Sequence, residues 1–464
     1  MLELRRVFEW LNQASFIGSG NERVSGVCTD SRAIDRDSLF VALRGERFDA
    51  HDFVQAARDS GAGAVLVERW VPGLAPPVIR VSDSRRALGE IARGWRRQFQ
   101  LPVVAVTGSN GKTTVKEMIA AIFTECCGAQ ATLATRGNLN NEIGVPMTLL
   151  ALRERHRLAV IELGMNHAGE IAWLAEITRP TISLVNNAQR EHQEFLASVA
   201  ATARENGTAI SALATDGIAV YPGDDADHTP IWRALAGTRR ALEFGLSVDG
   251  RSASGNALAV WAEPGAAAED FRLHAGAEVH RVRLAIDGAH NVRNALAAAA
   301  CALAAGVKGE HIVAGLERFS PAPGRLVRHR LETGALLIDD TYNANPDSVL
   351  AAIALLAAAP APRVLVLGDM GEVGDQGPAW HREAGEAAAR SGIDHLLLTG
   401  SASRAAADGF GSAAEHFGDD IAALAARVAA LAQPGTILLV KGSRFMRMER
   451  VVQALVGRSA TGAH

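Results

Sequence analysis

Between residues 103 and 116 the chain reads V-V-A-V-T-G-S-N-G-K-T-T-V-K, and these residue types at this spacing can hold a polyphosphate. A β-branched apolar run stops at Gly108, and a turn through Ser109, Asn110, Gly111 and Lys112 leads into a helix that begins at Thr113 and Thr114. Glycines let the backbone approach phosphate oxygens, and the N–H groups of a helix N-terminus bind anions. Lys112 then reaches the β- and γ-phosphates and the Thr113 hydroxyl ligates Mg2+, so the expected ligand is ATP or GTP. A full-length G-x-x-x-x-G-K-[ST] loop would need glycine at Val106, so this is a shortened variant.

Other polar clusters stand where strands should end. Glu162 closes an apolar run and precedes Gly164-Met165-Asn166, a placement that suits a carboxylate holding Mg2+ directly or through water. Asn186-Asn187-Ala188-Gln189-Arg190-Glu191-His192 also follows an apolar run, and His192 is placed to meet a metal or polarise a phosphate. Residues 135–142 carry Asn138, Asn140 and Asn141 on a polar, Gly-containing stretch that reads equally as a substrate loop or as an Asx-rich turn.

The elements that must position these groups fall into three regions, as a length of 464 residues leads one to expect. Residues 1–98 read as a small α/β unit with an Arg-rich amphipathic helix over 82–97. Over 99–319, apolar runs at 103–106, 158–163 and 182–185 alternate with helical patterns, which predicts βαβ crossovers and a mostly parallel sheet. Ser320-Pro321-Ala322-Pro323-Gly324 opposes helix and strand alike and opens the third region, 320–464. There the runs 335–338, 364–367, 395–398 and 437–440, separated by Ala-rich helices, predict a second doubly wound sheet. The fold class is therefore α/β in three domains.

A net charge of -4 without a Lys/Arg run recommends neither nucleic acid nor an anionic membrane as partner. The apolar stretches are too short to span a bilayer and the first 16 residues lack a signal-peptide core, so a cytoplasmic enzyme is expected; a monomer is expected separately. Cys28, Cys126, Cys127 and Cys301 show no C-x-x-C spacing and read as reduced, buried small residues.

Taken together, T-G-S-N-G-K-T-T, G-N-L-N-N-E-I-G-V-P (137–146), E-L-G-M-N (162–166), H-N-V-R-N-A-L-A-A-A (290–299), P-G-R (323–325) and D-D-T-Y-N-A-N-P-D-S (339–348) resemble, in this order, the Mur ligase family of ATP-dependent amide-forming enzymes. T-Y-N-A-N-P with L-G-D-M-G-E-V-G (367–374) looks like the branch that adds D-alanyl-D-alanine to UDP-N-acetylmuramoyl-tripeptide in peptidoglycan precursor synthesis. The resemblance, which runs from Thr29 to about Arg444, implies a UDP-binding first domain, a central ATPase and a Rossmann-like third domain that closes over the site. It matches Ser31, Arg32, Asp49 and His51 to uridine-nucleotide contacts, although Ala50 stands where the family usually has glycine. Lys112 and Thr113 match phosphate and Mg2+ groups, Glu162 and His192 metal-site residues, Asn291 and Asn294 adenine-side contacts. Arg325 matches a linker-side arginine and Asp340 a ribose-binding acid, while Lys441-Gly442-Ser443-Arg444 matches a segment whose role stays open.

One departure stands out. Many Mur ligases carry a carbamylated lysine in an A-K-G-E-like segment, where the carbamate helps to hold a second Mg2+, but Asn206 stands at that position and no lysine occurs between Lys116 and Lys308. The resemblance then implies an altered second-metal site, with Asn206 as a neutral oxygen ligand or Glu205 as a replacement charge. Another Mur-type or folylpolyglutamate-synthase-like ligase, a generic P-loop kinase or motor ATPase, and a weakly catalytic nucleotide-binding scaffold are the alternatives.

Overall fold

A computed structural model describes residues 2–45, 48–191, 193–264 and 270–460. Its central sheet has nine strands in the order Thr132–Ala134, Leu158–Glu162, Val103–Thr107, Ile182–Val185, Ile218–Pro222, Arg240–Leu246, Val260–Ala262, Phe271–Ala275 and Glu278–Val282. The first seven are parallel and the last two form an antiparallel extension. Alternation along Val103–Thr107 covers both faces: Val104 and Val106 pack under the helices Lys112–Cys127 and Ala289–Ala304, while Val103 and Ala105 face Gly144–Leu150 and Glu170–Thr178. The register sets Glu162 beside Val106 and Val185 beside Thr107. The carboxyl ends of three adjacent strands thus open together, with connections leaving to opposite sides, where ligands bind in open α/β sheets.

Two smaller sheets flank this one. The first region holds a five-stranded sheet in the order Ser15–Ile17, Val78–Arg80, Ala64–Val67, Leu39–Val41 and Val27–Cys28, beside a short antiparallel pair of Leu2–Glu3 and Arg23–Val24. Its helix Ser84–Arg96, capped by the Asp83 carboxylate on the Arg86 N–H, packs Leu88 and Ile91 into one continuous apolar core with Val145, Leu149, Ile171 and Leu174 of the central region. The third region has six strands, five parallel and one antiparallel at the edge, in the order Val327–Arg330, Leu336–Asp340, Ile437–Lys441, Arg363–Leu367, His395–Leu398 and Ala414–His416. It has apolar clusters of its own on both faces. Between them, residues 319–326 are irregular chain, where the Pro/Gly-rich stretch interrupts regular structure. No helix among the described residues is long and apolar enough to cross a membrane. All four cysteines are free; Cys28 and Cys301 are buried as expected, whereas Cys126 and Cys127, in the last turn of their helix, are only half-buried.

Candidate functional site

The phosphate loop is built from glycine and asparagine. Gly108 and Gly111 have φ of 132° and 80°, and a Cβ at Gly111 would sit 2.6 Å from Asn294 Oδ1, so neither position accepts a side chain. The next strand end holds the loop: Asn187 Oδ1 accepts the Asn110 N–H at 2.9 Å, and Asn186 and Asn187 both donate to the Asn110 carbonyl, at 2.8 and 2.9 Å. Ser109 Oγ accepts the Gln189 N–H at 2.9 Å. Behind the loop, Asn291, Asn294 and Asn186 form a buried amide ladder, Asn294 donating to Asn291 at 2.9 Å and accepting from Asn186 at 2.9 Å. The two residues matched to adenine contacts thus line the cavity while bracing the phosphate loop. Lys112 Nζ folds back on the carbonyls of Gly108 and Ser109 at 2.6 and 2.9 Å and pairs with Glu191 at 3.2 Å. A polyphosphate in the loop would take over those donors.

On the metal side, Thr113 Oγ1 lies 3.2 Å from Glu162 Oε1, which also accepts from Asn140 Nδ2 at 2.8 Å. Glu162 is 2% exposed and its Oε2 is buried with no hydrogen-bond partner. A buried, half-satisfied carboxylate beside a hydroxyl and a phosphate loop fits a hard cation that keeps water and phosphate as its other ligands, as Mg2+ does. Among the described residues no three His, Cys, Asp or Glu side chains converge as an all-protein cage. His192, matched to this site, lies outside the described residues.

Neither replacement considered for the missing lysine lines the cavity beside Glu162. Asn206 is 1% exposed beneath the phosphate loop, its Oδ1 accepting the Gly108 N–H at 2.9 Å and its backbone carbonyl accepting from Thr107 Oγ1 at 3.1 Å. Its amide oxygen is therefore spent on the loop. Glu205 Oε1 accepts the N–H groups of Gly169 and Ile171 at 2.9 and 3.2 Å, capping the helix Glu170–Thr178.

A cavity of about 1200 Å³ joins these groups to the third region and gathers Lys112, Thr113, Glu162, Asn138, Asn140, Asn141, Asn291, Asn294, Arg325 and Asp340 on its walls. Arg325 crosses between regions, donating to Thr113 Oγ1 at 2.9 Å while its guanidinium covers the Tyr342 ring at 4.0 Å. Asp340 is paired with Lys441 at 2.7 Å. Of the asparagine loop, Asn140 reaches Glu162, and Asn141 Oδ1 accepts the Gly144 N–H at 2.9 Å at the start of the helix Gly144–Leu150. Sequence reading passed over further groups: Asn345 exchanges amide bonds with Asn110 at 2.9 and 3.2 Å, and Arg190 grips Asp347 at 2.7 Å and Glu383 at 2.6 Å. Asn186, Asn187 and Arg190 stood in a segment read only for its histidine.

The residues matched to the uridine nucleotide do not line this cavity. His51 is 4% exposed, its Nδ1 2.6 Å from Asp49 Oδ1 and its Nε2 accepting the Glu68 N–H at 2.8 Å, so both ring nitrogens are consumed inside the domain. This corrects its reading as a substrate contact: it shapes the segment that carries Asp49. Ser31 is half-buried, and exposed Arg32 grips Asp30, holding that carboxyl down at about 2. The two regions are tied where Arg85 pairs with Glu142 of the asparagine loop and donates to the Arg44 carbonyl at 2.8 Å.

Comparison with known proteins places this geometry. Residues 23–96 match the Mur ligase family catalytic domain, 106–302 the Mur ligase middle domain and 324–444 the Mur ligase glutamate ligase domain. The chain is 44% identical over 433 residues to the UDP-N-acetylmuramoyl-tripeptide--D-alanyl-D-alanine ligase of Escherichia coli strain K12, covering 93% of this chain and 94% of that one. The ligase of the same name from Bacillus subtilis strain 168 is 34% identical, with 93% of each chain covered. The crystal structure of MurF from Acinetobacter baumannii superposes with a TM-score of 0.85 at 37% identity, covering 93% of both chains. MurF ligase from Thermotoga maritima in complex with ADP gives 0.83 at 25% identity, covering 95% of this chain and 99% of that one.

Proposed function

The chain belongs to the Mur ligase family, and from that premise we propose that its cavity joins D-alanyl-D-alanine to UDP-N-acetylmuramoyl-tripeptide with cleavage of ATP, each named residue acting as follows. The observation that carries this reading is the meeting of Lys112, Thr113, Glu162 and Arg325 on one cavity wall, a set suited to an anionic carboxylate meeting an anionic phosphate. Residues 1–98 take the UDP moiety, 99–319 the nucleotide, and 320–464 complete the site.

On nucleotide binding, Lys112 leaves the loop carbonyls and Glu191 for the β- and γ-phosphates, and the N–H groups around Gly111 take the remaining oxygens. Glu162 and Thr113 would hold Mg2+, with His192 joining them by resemblance alone, and the ion would supply positive charge to the phosphates. Arg325 binds from the third region, and Asp340, set by Lys441, accepts from the ribose hydroxyls. The tripeptide's terminal carboxylate attacks the γ-phosphorus, ADP leaves, and the resulting acyl phosphate is attacked by the amine of D-alanyl-D-alanine, which expels phosphate. The protein aligns the reacting groups, offsets their repulsion and excludes water from the acyl phosphate. Its use of ATP supports a cytoplasmic location.

Phosphate release from ATP tests the whole reading. Rapid release is expected only when UDP-N-acetylmuramoyl-tripeptide and D-alanyl-D-alanine are both present, and Lys112→Ala should lose roughly 3–4 kcal/mol of transition-state stabilisation, more than a hundredfold in rate. Equal release without the dipeptide, or near-normal turnover by folded Lys112→Ala, would overturn it.

A further inference from the structure

The acceptor dipeptide brings a carboxylate into a cavity built for phosphates, and some cation has to meet it. Among the described residues five lysines and arginines line the cavity: Lys112, Arg293, Arg325, Lys441 and Arg444. Four are already engaged at close range: Lys112 with its own loop and Glu191, Arg293 with Asp224 at 2.8 Å, Arg325 with Thr113 at 2.9 Å, and Lys441 with Asp340 at 2.7 Å. Arg444 differs. Its side chain is 68% exposed, its carboxylate neighbour is Glu449 at 3.5 Å, and its guanidinium stands 6.0 Å from the centre of the Tyr342 ring. Phe445 beside it is 64% exposed on the same wall, an apolar ring left facing the cavity where it overhangs Gly371.

The geometry points to Arg444 and Phe445 as the subsite for the C-terminal residue of the acceptor dipeptide, the guanidinium taking its carboxylate and the ring covering its methyl group. This rests on the ligase reading above and adds to it the residues that choose the acceptor. Two observations, together with the chemistry of arginine, carry it. The turn is fixed, since Ser443 Oγ donates to the Ala344 carbonyl at 3.1 Å and the Met446 N–H to the Ser443 carbonyl at 2.9 Å. An arginine fork fits a carboxylate in bidentate fashion. The reach also fits: Arg325 and Arg444 lie 4.0 and 6.0 Å from the same Tyr342 ring, so their guanidinium carbons are at most about 10 Å apart. A dipeptide spans about 7 Å when extended, enough to keep its carboxylate on Arg444 while its amine reaches the chemistry that Arg325 borders with Thr113.

The test uses the full-length enzyme with D-alanyl-D-alanine, its C-terminal amide and D-alanyl-glycine as acceptors. Wild type should show a KM for the amide raised about 10- to 100-fold over the acid, the range of a charge-assisted hydrogen bond. Arg444→Ala should raise the KM for the acid by a similar factor, treat acid and amide alike, and leave the KM values for ATP and UDP-N-acetylmuramoyl-tripeptide within twofold; Arg444→Lys should recover part of the preference. Phe445→Ala should lose the roughly fourfold preference for D-alanyl-D-alanine over D-alanyl-glycine that burying one methyl group gives. If Arg444→Ala still prefers the acid by the wild-type factor, or if its ATP KM moves instead, the subsite is wrong while the ligase reading stands. If wild type turns over none of the three acceptors, the ligase reading itself fails.

Discussion

Asn206 shows how one side chain can leave a family's pattern without leaving its site. The position faces the phosphate loop from below, and a short amide there reaches Gly108 at 2.9 Å, so the side chain braces the turn that a ligand approaches from above. Its Nδ2 is buried without a partner, a cost of about 1–3 kcal/mol that only the loop contact offsets. Asn206→Ala should therefore orphan the Gly108 N–H, loosen the loop and raise the ATP KM about tenfold with little effect on the KM for D-alanyl-D-alanine; unchanged ATP affinity would remove Asn206 from the loop's support. Because no lysine stands there to be carbamylated, turnover should be the same in CO2-depleted buffer and in added bicarbonate. Glu205→Gln should leave the Mg2+ requirement unchanged and instead weaken a helix cap, by about 1 kcal/mol in a stability measurement.

The helix Lys112–Cys127 carries the phosphate loop at one end, and the rest of its length is fixed by a close crossing. Gly315 of the helix Gly309–Arg318 lies so near that an added Cβ would stand 2.3 Å from Ile122 Cα and 2.6 Å from its nitrogen. Those are backbone atoms and cannot rotate away. Gly315→Ala should push the helices apart at about 1–3 kcal/mol, lower the melting temperature, and raise the ATP KM as Lys112 shifts with its helix; a melting curve and KM equal to wild type would show that the crossing yields freely. This packing was not legible in the sequence, and the reason is general. Strands such as Val103–Thr107, His395–Leu398 and Ile437–Lys441 announce themselves because a parallel strand covered on both faces must be a short, nearly continuous apolar run. The antiparallel pair Phe271–Ala275 and Glu278–Val282 carries charged residues on its open face and escapes that pattern. The phosphate loop and Glu162 were legible because their chemistry is local, whereas Arg325 was named only through the family resemblance. The amide ladder from Asn186 to Asn294 and the downward aim of Asn206 depend on partners far along the chain, which no local pattern reports.

The three regions are not joined alike, and this difference decides which of them can move. The first and central regions share a single apolar core through the helix Ser84–Arg96, so separating them would expose that core to water. The third region keeps its own cores and meets the central one through polar groups: the Asn110–Asn345 amide pair, Arg325 on Thr113, Arg328 paired with Asp287, and Arg190 holding Asp347 and Glu383. Interfaces of that kind open at little cost because water replaces their hydrogen bonds, which makes residues 319–326 the natural hinge. The amide pair and the Arg325–Thr113 contact across this interface are made by residues that also border the nucleotide cavity. Arg190 is the largest single tie, since one guanidinium serves two carboxylates on different helices of the third region. Arg190→Ala should release it: in small-angle scattering the ligand-free variant should have a larger radius of gyration than wild type. Saturating ATP analogue with UDP-N-acetylmuramoyl-tripeptide should bring the radius back, because ligands that bridge both regions favour the closed state by their difference in affinity for it. A variant as compact as wild type without ligands would show that the amide pair and Arg325 suffice to hold the cavity shut; one that stays expanded with both ligands bound would make the Arg190 tie a condition of closure rather than an aid to it.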